Sequence, residues 1–220
     1  ARLAEAQNDL RQQVAGDSEI GDPWTTVDEA MNAYRALYYP LRFTQPSGDL
    51  YSYAQTLVFA AQERDKPNSE RLPGYTDSAL PLTEKQVLDE RPVYPWLDEL
   101  GMEWSLSKAR EYLGVDDPDT KLLLGKESPE QLAERLVNGT SLADPAVRKA
   151  LWDGGLEAVE ASDDPMIKYA LKLATRQREL KALADAQYSG PLAAAGVKLA
   201  DARFAAYGDS LYPDATFTLR

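Results

Sequence analysis

The chain contains no cysteine and no histidine. The missing thiols exclude disulfides and thiolate nucleophiles, and the missing imidazoles exclude any Ser-His-Asp relay built from this sequence alone; together they remove the usual zinc ligands. Without cysteine the sequence is silent on redox compartment. Positive charge is also short: 24 Lys and Arg stand against 36 Asp and Glu, a formal net charge of −12. The basic residues are scattered among the acids and form no continuous track, so a phosphate backbone is repelled and no nucleic acid partner is expected. No apolar run reaches the roughly eighteen residues of a membrane span, so no membrane partner is expected either.

What remains is ordinary for a folded protein. The 220 residues are 44% hydrophobic and 27% charged, enough to bury a real core in one large domain or two small ones. The periodicity predicts an all-α fold, an irregular multi-helix domain with one short strand at its end. Leu3, Ala6, Leu10 and Val14 recur at helical spacing from the outset, so the start of that helix is expected upstream. Thr26 and Glu29 read as a capping box before Val27, Ala30, Met31, Tyr34, Leu37 and Tyr38, a stripe that Pro40 stops or kinks. Leu50, Tyr53, Ala54, Leu57, Val58 and Ala61 make the next stripe. Residues 65–81, with Pro67, Pro73, Gly74 and Pro81, show no period and read as a long ordered loop.

Further on, Thr83 with Gln86 reads as a cap, Pro92 and Pro95 delimit a short helix, and the stretch from Trp104 to Leu113 ends at Gly114. Ser128-Pro129, Asp144-Pro145 and Asp164-Pro165 each place a capping oxygen before a proline at the first helical position, where its missing N–H costs nothing. The helices so started are expected to run to Asn138-Gly139, to Gly154-Gly155 and toward Tyr188. Gly190-Pro191 is expected to break the last of these before a final helix ending at Gly208. Tyr212-Pro213-Asp214 reads as a turn, and 215–220 alternate like a strand whose partner would lie in a further β domain.

No motif is catalytic by itself. Asp116, Asp117 and Asp119 resemble the opening of a calcium loop but lack its sixth-position glycine, so capping and solvation compete with metal binding. Asp164 has a capping role and Asp163 adds charge favourable to a helix N-terminus. Tyr34, Tyr38, Tyr39, Tyr51 and Tyr53 suit either a helix-helix core or a peptide-binding wall. Trp152 reads as core, with Gly154 and Gly155 beside it allowing a close backbone approach. Asn138-Gly139-Thr140 matches the glycosylation triplet, though a glycine at a helix end explains it too. Arg64, Asp65, Lys66, Glu70 and Arg71 read as a solvated salt-bridge network.

Several stretches together carry a resemblance. They are Glu63-Arg64-Asp65-Lys66-Pro67 leading to Arg71-Leu72-Pro73-Gly74-Tyr75, then Asp144 to Trp152, then Ser162 to Ile167, and finally Ala202 to Gly208 followed by the Tyr212 to Arg220 stretch. Over about the whole chain this resembles the bacterial dipeptidyl aminopeptidases of chymotrypsin-like fold, with the closing stretch the most specific part. The resemblance implies a secreted or periplasmic serine exopeptidase in which a helical domain, inserted between two β-barrels, caps the active cleft.

On that reading 1–212 are the helical cap, incomplete at its N-terminus, and 213–220 are a turn and the first strand of a β-barrel catalytic domain. The Ser, His and Asp of the family lie on the barrels, in keeping with the absence of histidine here. The Asn with which the family holds the substrate amino group matches no residue of this sequence and is expected upstream. No catalytic, substrate-binding or metal-ligating residue is therefore assigned, and no cofactor is expected. The implied partners are a peptide substrate with a free N-terminus and the flanking β-barrel domains, and a homodimeric parent is compatible with it. The chain alone is predicted to be inactive. The alternatives are a free-standing acidic helical scaffold that binds proteins through its tyrosines, and a carboxylate-dependent hydrolase, which would need two converging acids.

Overall fold

A computed structural model describes residues 2–208; the turn and strand expected after residue 211 lie outside the described residues. Among the described residues there are ten α-helices and no strand, in agreement with the all-α reading. They are α1 (Arg2–Gln13), α2 (Pro23–Phe43), α3 (Asp49–Arg64), α4 (Leu80–Val87), α5 (Pro95–Leu113), α6 (Pro118–Leu124), α7 (Pro129–Gly139), α8 (Pro145–Glu160), α9 (Pro165–Ala184) and α10 (Gly190–Tyr207). Short 3₁₀ turns occupy Asn68–Glu70 and Pro73–Tyr75, and a π turn occupies Asp185–Ser189.

The described chain divides into two compact units. One holds Tyr38–Lys181; the other holds the residues up to Leu37 and from Ala182 onward, so both boundaries fall inside helices, α2 and α9. In the 38–181 unit α3 is the central element. Its expected stripe of Leu50, Tyr53, Ala54, Leu57, Val58 and Ala61 is buried, packed with Met102 and Leu106 of α5, Leu132 and Leu136 of α7, and Met166 and Ile167 of α9. Fully burying each such aliphatic side chain stabilises the fold by about 1.5–3 kcal/mol relative to exposure. In the terminal unit Leu10, Val14, Ile20, Trp24 and Ala202 bury together, flanked by Leu199, Ala206 and Tyr207.

The acid-proline and serine-proline starts form as the sequence implies. Ser128 accepts from the Gln131 N–H while the Gln131 side chain accepts from Ser128 N–H, a complete capping box. Asp144 accepts from Ala146 N–H at 2.8 Å, and Asp164 from Met166 N–H at 2.9 Å. The same device recurs at Asp117-Pro118, where Asp117 accepts from Asp119 and Thr120.

Elsewhere the structure departs from expectation. Asp22 caps the second helix, accepting from Thr25 N–H, and the Thr26 hydroxyl donates back to the Asp22 carbonyl. Of the two outcomes expected at Pro40, a stop does not occur, since α2 runs on to Phe43; the carbonyl its ring leaves unpaired belongs to Ala36, an exposed residue. Thr83 is no cap either, because α4 starts at Leu80 and the Thr83 hydroxyl donates to Gly74 O. The short helix expected to be delimited by Pro92 and Pro95 does not form between them; α5 starts at Pro95 and runs unbroken through the stretch expected from Trp104 to Leu113. α8 continues to Glu160 across an interruption at Gly155, whose φ of 62° favours glycine. A Cβ on Gly154 would meet only Ala158 of the same helix and one on Gly155 would meet nothing within 4 Å, so no foreign backbone approaches these glycines among the described residues. Gly190-Pro191 does not break the chain out of helix; a π turn directly before it accommodates a proline that has no N–H to give the helix, and Gly190 sits where a Cβ would lie 2.7 Å from Asp185 O.

Candidate functional site

The segment after α3 was expected to be a solvated charge network, and the structure corrects this. Glu63 is the last buried residue of α3, with its side chain wholly inaccessible. Its carboxylate accepts from Lys66 Nζ at 2.7 Å, from Leu72 N–H at 2.8 Å and from the Arg178 guanidinium. Burial pushes this carboxyl up, but the bonds from Lys66, Leu72 and Arg178 outweigh it and hold it below the ordinary glutamate value. Arg64 lies over the Trp152 ring at 4.6 Å and donates to Trp152 O. Arg71 turns back onto Lys66 O and Arg64 O. Two of the expected surface cations thus fasten backbone, and the loop is tied down over its own anchors. Asp65 and Glu70 are exposed, as expected.

Arg148 has no accessible surface. Its Nε donates to Val87 O at 2.6 Å, Nη1 to Leu142 O and Ala143 O, and Nη2 to Asp89 O. One guanidinium therefore joins the end of α4, the segment that follows it and the turn before α8. Its plane lies 4.1 Å from the Tyr53 ring centroid. In the sequence Arg148 is one of the residues of the Asp144 to Trp152 stretch and carries no mark of its own. The signal was its spacing: 148 and 152 are four apart, so Arg148 shares the buried face of Trp152.

Beside this clamp is a recess of roughly 390 Å³ lined by Ser52, Tyr53, Thr56, Tyr75, Thr83 and Gln86, with Asp89 and Arg91 also on its wall. Tyr75 packs edge-on against Phe59, their centroids 6.2 Å apart, and burial pushes its hydroxyl up to about 12. Arg91 Nε donates to the Tyr53 hydroxyl and its Nη2 to Asp49. The recess combines two rings, several neutral polar groups and one ion pair, a composition suited to holding a polar ligand by hydrogen bonds. A second recess, roughly 530 Å³ and mostly apolar, lies within the terminal unit against Leu10, Trp24, Val27, Leu199 and Tyr207.

The other sequence candidates resolve toward structure. Asp117 caps α6, Asp119 makes a two-bond pair with Arg176 at 2.6 and 2.9 Å, and Asp116 pairs with Lys121 on the surface. No group of three or more carboxylates able to hold a metal occurs among the described residues. Asp164, besides capping α9, accepts from the Thr140 hydroxyl and Ser141 N–H, so the Asn138-Gly139-Thr140 triplet is part of a helix junction. A Cβ on Gly139 would lie 2.8 Å from Pro165 Cγ, which explains the glycine. Asp163 is exposed and paired with Lys168. The tyrosines divide: Tyr51 and Tyr53 are core, whereas Tyr38 and Tyr39 are each 43% exposed, Tyr39 stacked with Phe43 and Tyr112 and Tyr38 edge-on to Tyr39. Trp152 is core, 5% exposed.

The family model for peptidase S46, the dipeptidyl aminopeptidases, matches residues 1–220, and the chain belongs to that family. Members of the family are secreted or periplasmic peptidases, and no helix among the described residues is long and apolar enough to cross a membrane.

Proposed function

We propose that this chain supplies the helical domain that caps the active cleft of a serine dipeptidyl peptidase and restricts cleavage to N-terminal dipeptides. The observation that carries the reading is a peptidase S46 match over a chain whose described residues form helices and no strand and which has no histidine. The base that activates a serine must then come from elsewhere in the parent enzyme, by resemblance from the flanking β-barrels. A helical wall over the non-primed side of a protease cleft stops the peptide two residues before the scissile bond, while polar groups pair its ammonium end. Closure of such a lid excludes water and aligns the substrate. The parent enzyme on this reading is periplasmic or secreted, acts on peptides with free N-termini, and is compatible with a homodimer.

Two measurements test it. The purified chain alone should neither hydrolyse dipeptidyl substrates nor react with a serine-directed phosphonate; turnover sensitive to that reagent would refute the division of labour. In the intact peptidase, replacing 38–181 by a short linker should abolish the preference for free over N-acetylated dipeptide substrates while phosphonate labelling persists. Undiminished preference in a labelled, folded variant would overturn the cap role.

A further inference from the structure

We infer that the recess formed by α3, α4 and the Pro73–Tyr75 turn is a peptide subsite that takes an uncharged stretch of substrate beyond the two residues released. This rests on the dipeptidyl peptidase reading above. The hydroxyls of Ser52, Thr56 and Tyr75 and the amide of Gln86 line the recess, and none has a hydrogen-bond partner among the described residues. Each of these groups both donates and accepts, which matches the alternating N–H and C=O of a peptide backbone. The Tyr53 and Tyr75 rings offer apolar surface for a side chain.

The charges at the rim already have partners. Arg91 is held by Asp49 and the Tyr53 hydroxyl, and Asp89 accepts from Arg91 N–H. The two guanidinium charges of Arg91 and Arg148 balance the carboxylates of Asp49 and Asp89, leaving no excess negative charge to draw an ammonium terminus, so the recess suits the neutral chain that follows the scissile bond better than the N-terminus itself. The wall is also fixed before any ligand arrives. Arg148 ties Val87 and Asp89 in place and backs the Tyr53 ring, and the Thr83 hydroxyl holds Gly74 O at 2.8 Å. Such pre-organisation lowers the ordering cost of binding.

The test uses the intact peptidase with Thr56→Val, Gln86→Leu and Tyr75→Phe, changes that keep shape and remove one polar group each. Two substrates share the same first two residues: a dipeptide with a chromogenic leaving group and a hexapeptide with four uncharged residues after the cut. Each variant should raise KM for the hexapeptide about 3- to 10-fold, the loss of one hydrogen bond, with its kcat and both constants for the dipeptide unchanged. Equal change on both substrates marks a folding effect and overturns the subsite, as does no change on either. These outcomes are separate from failure of the cap role, which shows in free versus N-acetylated dipeptides that do not reach the recess. Binding to phosphonate-inactivated enzyme gives the last arm. If the three variants weaken a chitin oligosaccharide and leave the hexapeptide untouched, the site is a glycan site and the peptide inference falls.

Discussion

The two units of this chain are built on different principles. Every buried polar or charged side chain among the described residues, including Glu63, Asp98, Asp119, Arg148 and Gln177, belongs to the 38–181 unit; the terminal unit buries only apolar side chains, with Trp24 the largest. In the larger unit these inward polar groups hold something specific, the Thr120 hydroxyl excepted. Asp98 accepts from Asp49 and Leu50 N–H at the start of α3, doing from a distance what a capping residue does locally. Gln177 donates to Thr44 O and to the Tyr51 hydroxyl. Apolar packing is tolerant of exchange at constant volume, whereas these contacts fix which loop lies where. The polar recess accordingly lies in the unit whose irregular segments are clamped.

The sharpest break is Arg148→Ala. Four carbonyls lose their donor and a large volume is emptied, so the opening free energy of amides in α4 and α8 should fall by about 4 kcal/mol or more. Hydrogen exchange reads this residue by residue. Amides of α1 and α10 should hold their protection; an equal fall there would show that the difference between the units does not extend to their stability.

The converse is Trp24→Ala, which removes the largest side chain of the terminal core and should cost about 3 kcal/mol, seen as faster exchange in α1 and α10. A loss spread evenly into α3 and α5 would count against two separate cores. A smaller effect distinguishes the buried charges from each other. Glu63 is held below its ordinary value, so its contribution is complete above the usual glutamate range and is lost as pH falls through the lowered one. Burial raises Asp98, opposed by its two backbone bonds, so its contribution has the opposite sign and is lost as pH rises through the raised value. Urea unfolding across the acid range should show a shallower acid loss for Glu63→Gln than for the parent, and Asp98→Asn should not reproduce that change. Parallel pH curves for Glu63→Gln and the parent would remove Glu63 from the set of clamps.

Much of this fold is legible because its signals are local. A capping oxygen before proline specifies where a helix starts without reference to anything distant, so Ser128, Asp144 and Asp164 read correctly. Stripes such as Leu50 to Ala61 read correctly because burial follows helical spacing. The misreadings share another cause. Pro191 looks like a stop, yet a π turn before it accommodates it, which depends on the surroundings of the residue. Arg64 looks like a surface charge because the carbonyl it fastens, that of Trp152, is 88 positions away. The recess is legible least of all, since Thr56, Tyr75 and Gln86 meet only once the 65–81 segment is folded back.

The choice of partners for Arg148 bears on how this protein tolerates sequence change. A cation matched to carboxylates is undone by substituting any acid, and two positions must then vary together. All four acceptors here are main-chain oxygens, which every amino acid carries. Mutations at Val87, Asp89, Leu142 or Ala143 alter what surrounds the guanidinium but cannot delete what it binds. The clamp therefore depends on the identity of a single residue, and the four positions it grips can change side chain while their backbone stays in register.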